Sequence, residues 1–92
     1  MYIILTYDIK LDDKGAKVWR HVFKICKKYL THIQNSVFEG ELTKPLLEKL
    51  RLELKEFIRS DKDSLIVFES KAEKYTRKHF WGMEDDKTSN FF

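Results

Sequence analysis

The chain opens with Met1-Tyr2-Ile3-Ile4-Leu5-Thr6-Tyr7-Asp8-Ile9, an apolar run that contains one carboxylate near its end. A run this short and this rich in β-branched and aromatic residues predicts a buried strand rather than a helix. Side chains alternate across a strand, so one face holds Ile3, Leu5, Tyr7 and Ile9 and the other holds Tyr2, Ile4, Thr6 and Asp8. Asp8 therefore lies where the strand passes into a loop. Its carboxylate is either a rim residue that caps the next turn or a functional group.

The size and composition predict a single globular domain. The 92 residues have room for one hydrophobic core, and 42% hydrophobic residues with only three glycines and one proline exclude a disordered chain. Cys26 is the only cysteine, which excludes an intrachain disulfide and a cluster of thiolate metal ligands and favours a reducing, cytoplasmic setting. No apolar run reaches the ~20 residues of a membrane span, and no basic segment precedes a cleavable apolar one. We therefore expect neither membrane insertion nor secretion.

A basic segment follows the first strand. Six cations occur with no acidic residue between positions 14 and 30, namely Lys14, Lys17, Arg20, Lys24, Lys27 and Lys28. Helical spacing in the same segment predicts helix one over residues 14–30, with a buried stripe of Trp19, Val22, Phe23, Cys26 and Leu30. Asp12 and Asp13 are expected to cap its first N–H groups. The cations could lie along a phosphate backbone, or they could be the solvated face of this helix.

Three further strands and a second helix are predicted after residue 31. An extended period predicts strand two over residues 32–40. Helix two is expected to begin with Thr43 as its cap and Pro45 in its first turn, and its buried stripe comprises Leu46, Leu47, Leu50, Leu54, Phe57 and Ile58. Residues 64–70 predict strand three, central in the sheet, and residues 75–81 predict strand four.

The last part of the chain combines positive charge with aromatic residues. Arg77 and Lys78 lie among aromatic side chains in predicted strand four. This interleaving suits either contact with nucleic acid or an edge strand protected by its cations. The chain then ends in Phe91-Phe92, and a terminus of this kind is expected to dock on another surface.

The fold predicted from two helices and four strands is the ferredoxin-like α+β fold, whose order is strand, helix, strand, strand, helix, strand. This fold has a four-stranded antiparallel sheet with both helices on one face. The other sheet face is left uncovered and carries apolar groups, so we expect a second copy of the chain to bury it. A two-fold axis near that face would bring together two copies of Asp8. Two carboxylates with waters suit a Mg²⁺ ion.

Four features together resemble CRISPR-associated protein family two. They are the strand that ends in Tyr7-Asp8-Ile9, the basic first helix, residues 34–42, and Thr88-Ser89-Asn90-Phe91 near the end. That family is the small subunit of the spacer-acquisition complex, long described as an endonuclease. The resemblance spans essentially the whole chain. It implies a homodimer with a ferredoxin-like domain over residues 1–82 and a tail or strand, residues 83–92, that docks on the sheet of the partner protomer.

The resemblance also implies the site residues. Asp8 of each protomer is expected to approach the dimer axis as the catalytic residue and to bind Mg²⁺ or Mn²⁺, with Tyr7, Ser36 and Phe38 nearby. The residues expected to contact nucleic acid are Lys14, Lys17, Arg20, Lys24, Lys28, Arg77 and Lys78. Some family members carry arginines early in the first helix where this chain has mainly lysines, which supply charge without bidentate phosphate geometry.

Two functions follow from the resemblance. The first is a CRISPR adaptation protein, a metal-binding and nucleic-acid-binding homodimer with endonuclease activity on RNA or double-stranded DNA. The alternative is a noncatalytic scaffold that holds duplex DNA between copies of the integrase subunit. The sequence places no histidine as a general base, and one metal is fewer than many nucleases use, which favours the integration role over cleavage. A regulatory domain that binds a small metabolite ranks below both, because no glycine-rich loop is present.

Overall fold

The computed structural model of the protein describes residues 1–82. Its elements are β1 (Tyr2–Asp8), α1 (Gly15–Tyr29), β2 (Thr31–Gln34), β3 (Val37–Glu41), α2 (Lys44–Lys55), β4 (Ser64–Ser70) and a short 3-10 helix (Glu73–Tyr75). The strands form one antiparallel sheet in the order β2-β3-β1-β4. This is the ferredoxin-like arrangement, which confirms the predicted fold class. The predicted C-terminal strand falls in residues 83–92, outside the described residues.

β1 lies in the centre of the sheet, and both of its edges are paired. Leu5 lies opposite Phe38 of β3 on one side and Val67 of β4 on the other. The predicted faces of β1 are confirmed, because Ile3, Leu5, Tyr7 and Ile9 are all buried in the core that the two helices cover. On the opposite, uncovered face of the sheet, Asp8 is exposed at the end of the strand.

The prediction of one strand over residues 32–40 is wrong, because this segment is a hairpin of β2 and β3. The turn occurs at Asn35, whose φ of 40° lies in the left-handed region. Asparagine tolerates this conformation better than most residues. The polar pair Asn35-Ser36 in an otherwise extended segment was the turn signal. The hairpin supplies the two consecutive strands that the ferredoxin-like order requires.

The prediction of a strand over residues 75–81 is also wrong. The 3-10 helix ends at Tyr75, and the residues after it cross the uncovered sheet face instead of extending along an edge. Lys78 and Trp81 line a cavity of about 480 Å³ with Ile4 and Ile33 of the sheet. The ammonium of Lys78 donates to the Glu39 carboxylate on β3, which ties this segment across the strands.

β4 was expected in the centre of the sheet and instead lies at an edge of the described sheet. Its outer side pairs with no strand of residues 1–82. Three of its apolar side chains, Ile66, Val67 and Phe68, are 49%, 37% and 57% exposed. The apolar pattern predicted a central strand with a partner strand on each edge, and within residues 1–82 only β1 pairs with β4.

The two helices lie where the sequence predicted them, but the predicted buried stripe of α2 is partly wrong, because Leu46 is 42% exposed and Phe57 and Ile58 follow the end of the helix. Thr43 caps α2, since its Oγ1 accepts from the Leu46 N–H at 3.4 Å. On α1 the buried stripe includes Val22 and Cys26 as predicted, but Val18 and Ile25 take the places expected for Trp19 and Phe23. Its buried residues are Gly15, Val18, Val22, Ile25 and Cys26. Trp19 is 37% exposed and stacks on the half-buried Phe23 at the margin of the stripe, with ring centroids 5.0 Å apart. None of the helices within residues 1–82 is long and apolar enough to cross a membrane.

The predicted capping of α1 by Asp12 and Asp13 is wrong. The residue before the helix is Lys14, and α1 has no side-chain cap. Asp12 accepts from the Lys14 N–H at 3.2 Å, but its main partner is the Arg59 guanidinium. The ion pair takes the carboxylate away from the N–H groups of the first helical turn.

Candidate metal and nucleic-acid site

Asp8 presents a single carboxylate on the uncovered face. It ends β1 directly opposite Ser64 of β4, and its side chain is exposed. Within residues 1–82 no group of three or more His, Cys, Asp or Glu side chains could hold a metal ion. Carboxylate oxygens are the ligands that Mg²⁺ and Mn²⁺ prefer, and Mg²⁺ is commonly held by one or two carboxylates together with waters. One exposed Asp8 therefore fits as one ligand of such an ion, with the other ligands coming from water or from groups outside residues 1–82.

Tyr7, Ser36 and Phe38, the residues expected near Asp8, do come together. The backbone N–H of Tyr7 donates to the Ser36 carbonyl at 3.2 Å, and the Tyr7 and Phe38 rings stack with centroids 6.1 Å apart. Both rings point into the core, away from the face that carries Asp8. The group therefore supports the end of β1 from the helix side and does not line the carboxylate.

The Tyr7 phenol is held in its neutral form. Burial raises the pKa of this hydroxyl well above its usual range, and a nearby buried Cys26 adds to the shift. The hydroxyl has no hydrogen-bond partner among residues 1–82. A neutral phenol that points into the core is unsuited to act as a base at Asp8.

Two histidines pack on the helix side of the sheet. The His21 ring stacks on Phe57 at 4.3 Å, and the His32 ring lies 4.9 Å from Phe38 with its Nε2 donating to the Asn35 carbonyl at 2.8 Å. Both rings are therefore engaged in packing on the side opposite Asp8. The third histidine, His79, is exposed in the segment that crosses the uncovered face and lines the cavity there with Ile4 and Ile33.

Sequence analysis missed a cluster of charges beside Asp8. The guanidinium of Arg59 pairs with Asp12 at 2.6 Å and with Asp63 at 2.9 Å. These contacts lower the pKa of the Asp63 carboxyl to about 2 and hold the pKa of Asp12 well below its usual range. No local pattern predicts this cluster, because Asp12 and Arg59 are 47 positions apart.

The basic face of α1 is a continuous exposed surface, which we call the α1 basic face. It consists of Lys17, Arg20, Lys24 and Lys27. None of these four forms an ion pair with another residue in the part of the chain that the structure describes. Lys27 lies 5.8 Å from the centre of the Phe23 ring. A field of unpaired cations on one helix face is suited to a phosphate backbone.

The seven residues predicted to contact nucleic acid do not form one surface. Lys28 pairs with Glu53 of α2 at 2.5 Å, which raises the pKa of its ammonium. Lys78 pairs with Glu39 on the uncovered face, on the opposite side of the sheet from α1, and Arg77 next to it is exposed. Lys14 is exposed just before α1. The predicted set is therefore divided between the two sides of the sheet.

The family of the chain follows from comparison with known proteins. Residues 1–78 match the family model described as CRISPR associated protein Cas2. The chain belongs to the Cas2 family. This confirms the family that the sequence resembles.

Individual members of the Cas2 family support the same assignment. The chain is 50% identical over 91 residues to a CRISPR-associated endoribonuclease Cas2 of Fusobacterium nucleatum, an alignment that covers 99% of this chain and 86% of that protein. Its fold resembles a crystal structure of Cas2 with a TM-score of 0.80 at 35% identity, covering 94% of this chain and 91% of the other. It also resembles a crystal structure of Cas2 of Streptococcus pyogenes, with a TM-score of 0.75 at 29% identity, covering 87% of this chain and 99% of the other.

Proposed function

We propose that this chain is a CRISPR adaptation protein that acts as a homodimeric, metal-dependent endonuclease on RNA or double-stranded DNA. The observation that carries the proposal is the exposed carboxylate of Asp8 at the end of the central strand, on a sheet face that the helices leave uncovered. Membership of the Cas2 family and the name of the Fusobacterium relative, an endoribonuclease, support this activity.

A homodimer would supply a second carboxylate beside Asp8. The uncovered face carries exposed Ile66 and Phe68, an apolar surface that a second copy would bury. A two-fold axis near Asp8 would bring two carboxylates to one ion, which suits Mg²⁺ or Mn²⁺ completed by waters. In this arrangement Asp8 is both the metal ligand and the catalytic residue.

The tail, residues 83–92, would complete the dimer by docking on the partner protomer. The outer edge of β4 has no partner strand within residues 1–82. Beside it lies an apolar groove of about 380 Å³ between α2 and β4, lined by Leu47, Leu50, Leu54, Leu65 and Val67 among others. A tail that ends in Phe91-Phe92 has the chemistry to cover this surface.

The proposed reaction is hydrolysis of a phosphodiester. A divalent ion held by the Asp8 pair would activate a water molecule and stabilise the charge that develops on the phosphate. Asp8 holds its carboxylate outward from a strand whose opposite face is packed against the core, so the ligand is presented on a rigid element. The α1 basic face and exposed Arg77 would bind the phosphate backbone without reading its sequence.

A second candidate function is a noncatalytic scaffold that bridges copies of the CRISPR integrase subunit on duplex DNA. One observation favours it: the α1 basic face is a row of exposed cations without ion pairs among the described residues, whereas Asp8 is a single carboxylate with no metal-binding group around it within residues 1–82. The α1 basic face would then be the main functional surface, and Asp8 would at most stabilise the dimer through a bound ion.

A cleavage assay with one substitution tests the catalytic proposal. The purified dimer is incubated with RNA and with duplex DNA, in Mg²⁺ and in EDTA, beside Asp8→Asn. Asparagine keeps the shape of the side chain but removes the anionic ligand, so Asp8→Asn should lose the metal-dependent cleavage and keep the dimer. The matched control is Asp13→Asn, an exposed aspartate in the following loop, which should cleave as the parent does.

The outcomes separate the two functions. Cleavage that survives Asp8→Asn unchanged contradicts the catalytic assignment. A variant that loses cleavage but still supports spacer integration with the integrase subunit favours the scaffold as the biological role.

A further inference from the structure

The backbone that follows Asp8 is held from both sides. Lys10, two residues after Asp8, donates its N–H to Asp63 Oδ1 at 3.0 Å. Its carbonyl accepts from Arg59 Nη2 at 2.9 Å. The chain leaving β1 is thus hydrogen-bonded through both the backbone N–H and the backbone carbonyl of Lys10.

A single guanidinium joins three groups at this point. Arg59 Nε and Nη2 each lie 2.9 Å from one oxygen of Asp63, a bidentate pair, and Nη1 lies 2.6 Å from Asp12 Oδ1. The Asp63 side chain is fully buried and the Arg59 side chain is 17% exposed. Arginine suits this position because its planar fork presents several donors in fixed directions, whereas a lysine ammonium cannot reach all three groups at once.

The register of the sheet places this cluster directly beside Asp8. Asp8 lies opposite Ser64 in the last pair of the β1–β4 ladder, and Asp63 immediately precedes Ser64. The Lys10-to-Asp63 bond is therefore the next connection beyond the Asp8–Ser64 pair. Asp12, held by Arg59, also accepts from the N–H of Lys14, the residue before α1. The cluster connects the end of β1, the start of β4 and the start of the basic helix.

We propose that Arg59 is a positioning residue for Asp8, acting through Lys10, Asp12 and Asp63. It holds the chain on the loop side of Asp8 in one conformation, as the β1–β4 ladder holds it on the strand side. A carboxylate whose backbone is fixed on both sides loses little conformational freedom when it binds a cation, so its affinity is higher. This inference rests on the proposed metal-binding role of Asp8 and adds the residue that orients it.

The test is the affinity of the dimer for Mn²⁺ alone, measured by electron paramagnetic resonance of the free ion without nucleic acid. Arg59→Lys keeps the charge and removes the fork. Loss of a residue that supports a metal ligand typically weakens metal affinity by 10–100-fold, and we expect about 10-fold here. Arg51→Lys is the matched control, because Arg51 makes a similar two-point contact with Glu48 on the exposed surface of α2. That control should bind Mn²⁺ as the parent does.

A role limited to stability would give a different result. Folded Arg59→Lys protein, verified by circular dichroism, would then bind Mn²⁺ with parental affinity, which overturns the positioning role. If Arg59→Lys does not fold, Asp12→Asn carries the same test, since it removes one partner of Arg59 and leaves the Arg59–Asp63 pair. Unchanged affinity in that variant likewise overturns the inference.

Failure of the proposed function is distinguishable from failure of this inference. If Asp8→Asn binds Mn²⁺ as tightly as the parent, the metal site is not at Asp8, and both the proposed function of Asp8 and the positioning role of Arg59 are wrong. If Asp8→Asn loses the ion while Arg59→Lys retains it, only the positioning role falls.

Discussion

The Nζ of Lys28 lies 2.5 Å from Oε1 of Glu53, which joins the end of α1 to α2. The hydroxyl of Tyr29 donates to the other oxygen of the same carboxylate. Lys28 is thus engaged within the domain, whereas Lys17 and Lys24 project from the α1 basic face. Cations that are equivalent in the sequence therefore have different roles available to them.

This difference predicts the salt dependence of nucleic-acid binding. Neutralising two phosphate-binding cations per protomer with Lys17→Gln and Lys24→Gln should weaken duplex binding and reduce the slope of log affinity against log salt by about 2 for each protomer that contacts the duplex. The measurement is a titration at several salt concentrations. Lys28→Gln is the control and should leave the slope near the parental value. An unchanged slope in the double variant would mean that the α1 basic face is only solvated.

Removal of the tail should weaken the dimer. A chain that ends at Gly82 lacks the segment proposed to cover β4 and the α2–β4 groove, so its dimer should dissociate at micromolar concentration where the full chain does not. Sedimentation at several concentrations measures this. The variant Phe91→Ser/Phe92→Ser should reproduce the effect, whereas Lys87→Ala should not. An intact dimer in the truncated chain would rule out a tail-mediated interface.

Gly15 is required at the start of α1. A Cβ at this position would lie 2.2 Å from the Lys10 carbonyl oxygen, a backbone atom that Arg59 also binds. Gly15→Ala must displace this backbone, and we expect a loss of about 1–3 kcal/mol in the free energy of unfolding. Gly82→Ala is the control, because a Cβ there meets nothing within 4 Å. Urea unfolding of both variants would show whether the two glycines differ in this way.

The lowered pKa of the Asp63 carboxyl predicts that the folded protein loses stability in acid. Its hydrogen bonds with Arg59 lower its pKa from 3.8 to about 2 in the folded protein. A carboxyl with a lowered folded pKa stabilises the protein above its unfolded pKa, and this contribution is lost as the pH falls through the folded pKa. Asp63→Asn should therefore be clearly less stable than the parent at pH 5, and the difference should shrink as the pH approaches 2. Thermal unfolding across this range measures it, and a difference that does not change with pH would contradict the assignment.

Local sequence patterns predicted the parts of the fold that depend on local chemistry. The alternation in β1 predicted which side chains are buried, and Thr43 with Pro45 predicted the start of α2. The hairpin of β2 and β3 escaped prediction because strands of four and five residues are too short to show a period of their own. Asn35, with its left-handed backbone, was the available signal.

Contacts between distant parts of the chain were beyond local patterns. The ammonium of Lys78 binds Glu39, a partner 39 positions away, and this contact directs the segment after β4 across the sheet. The Arg59 cluster beside Asp8 is of the same kind, since Arg59 and Asp12 are 47 positions apart. The sequence thus located the candidate carboxylate of Asp8 but not the groups that hold its loop.

The central position of β1 has a consequence for the synthesis of the protein. β1 leaves the ribosome before its two neighbours in the sheet, β3 and β4, and β4 ends at Ser70. At 5–20 residues per second, the interval between the end of β1 and the end of β4 is about 3–12 s. During that time β1, an apolar strand, lacks one of its two partner strands. The domain therefore cannot complete its sheet until β4 has been synthesised.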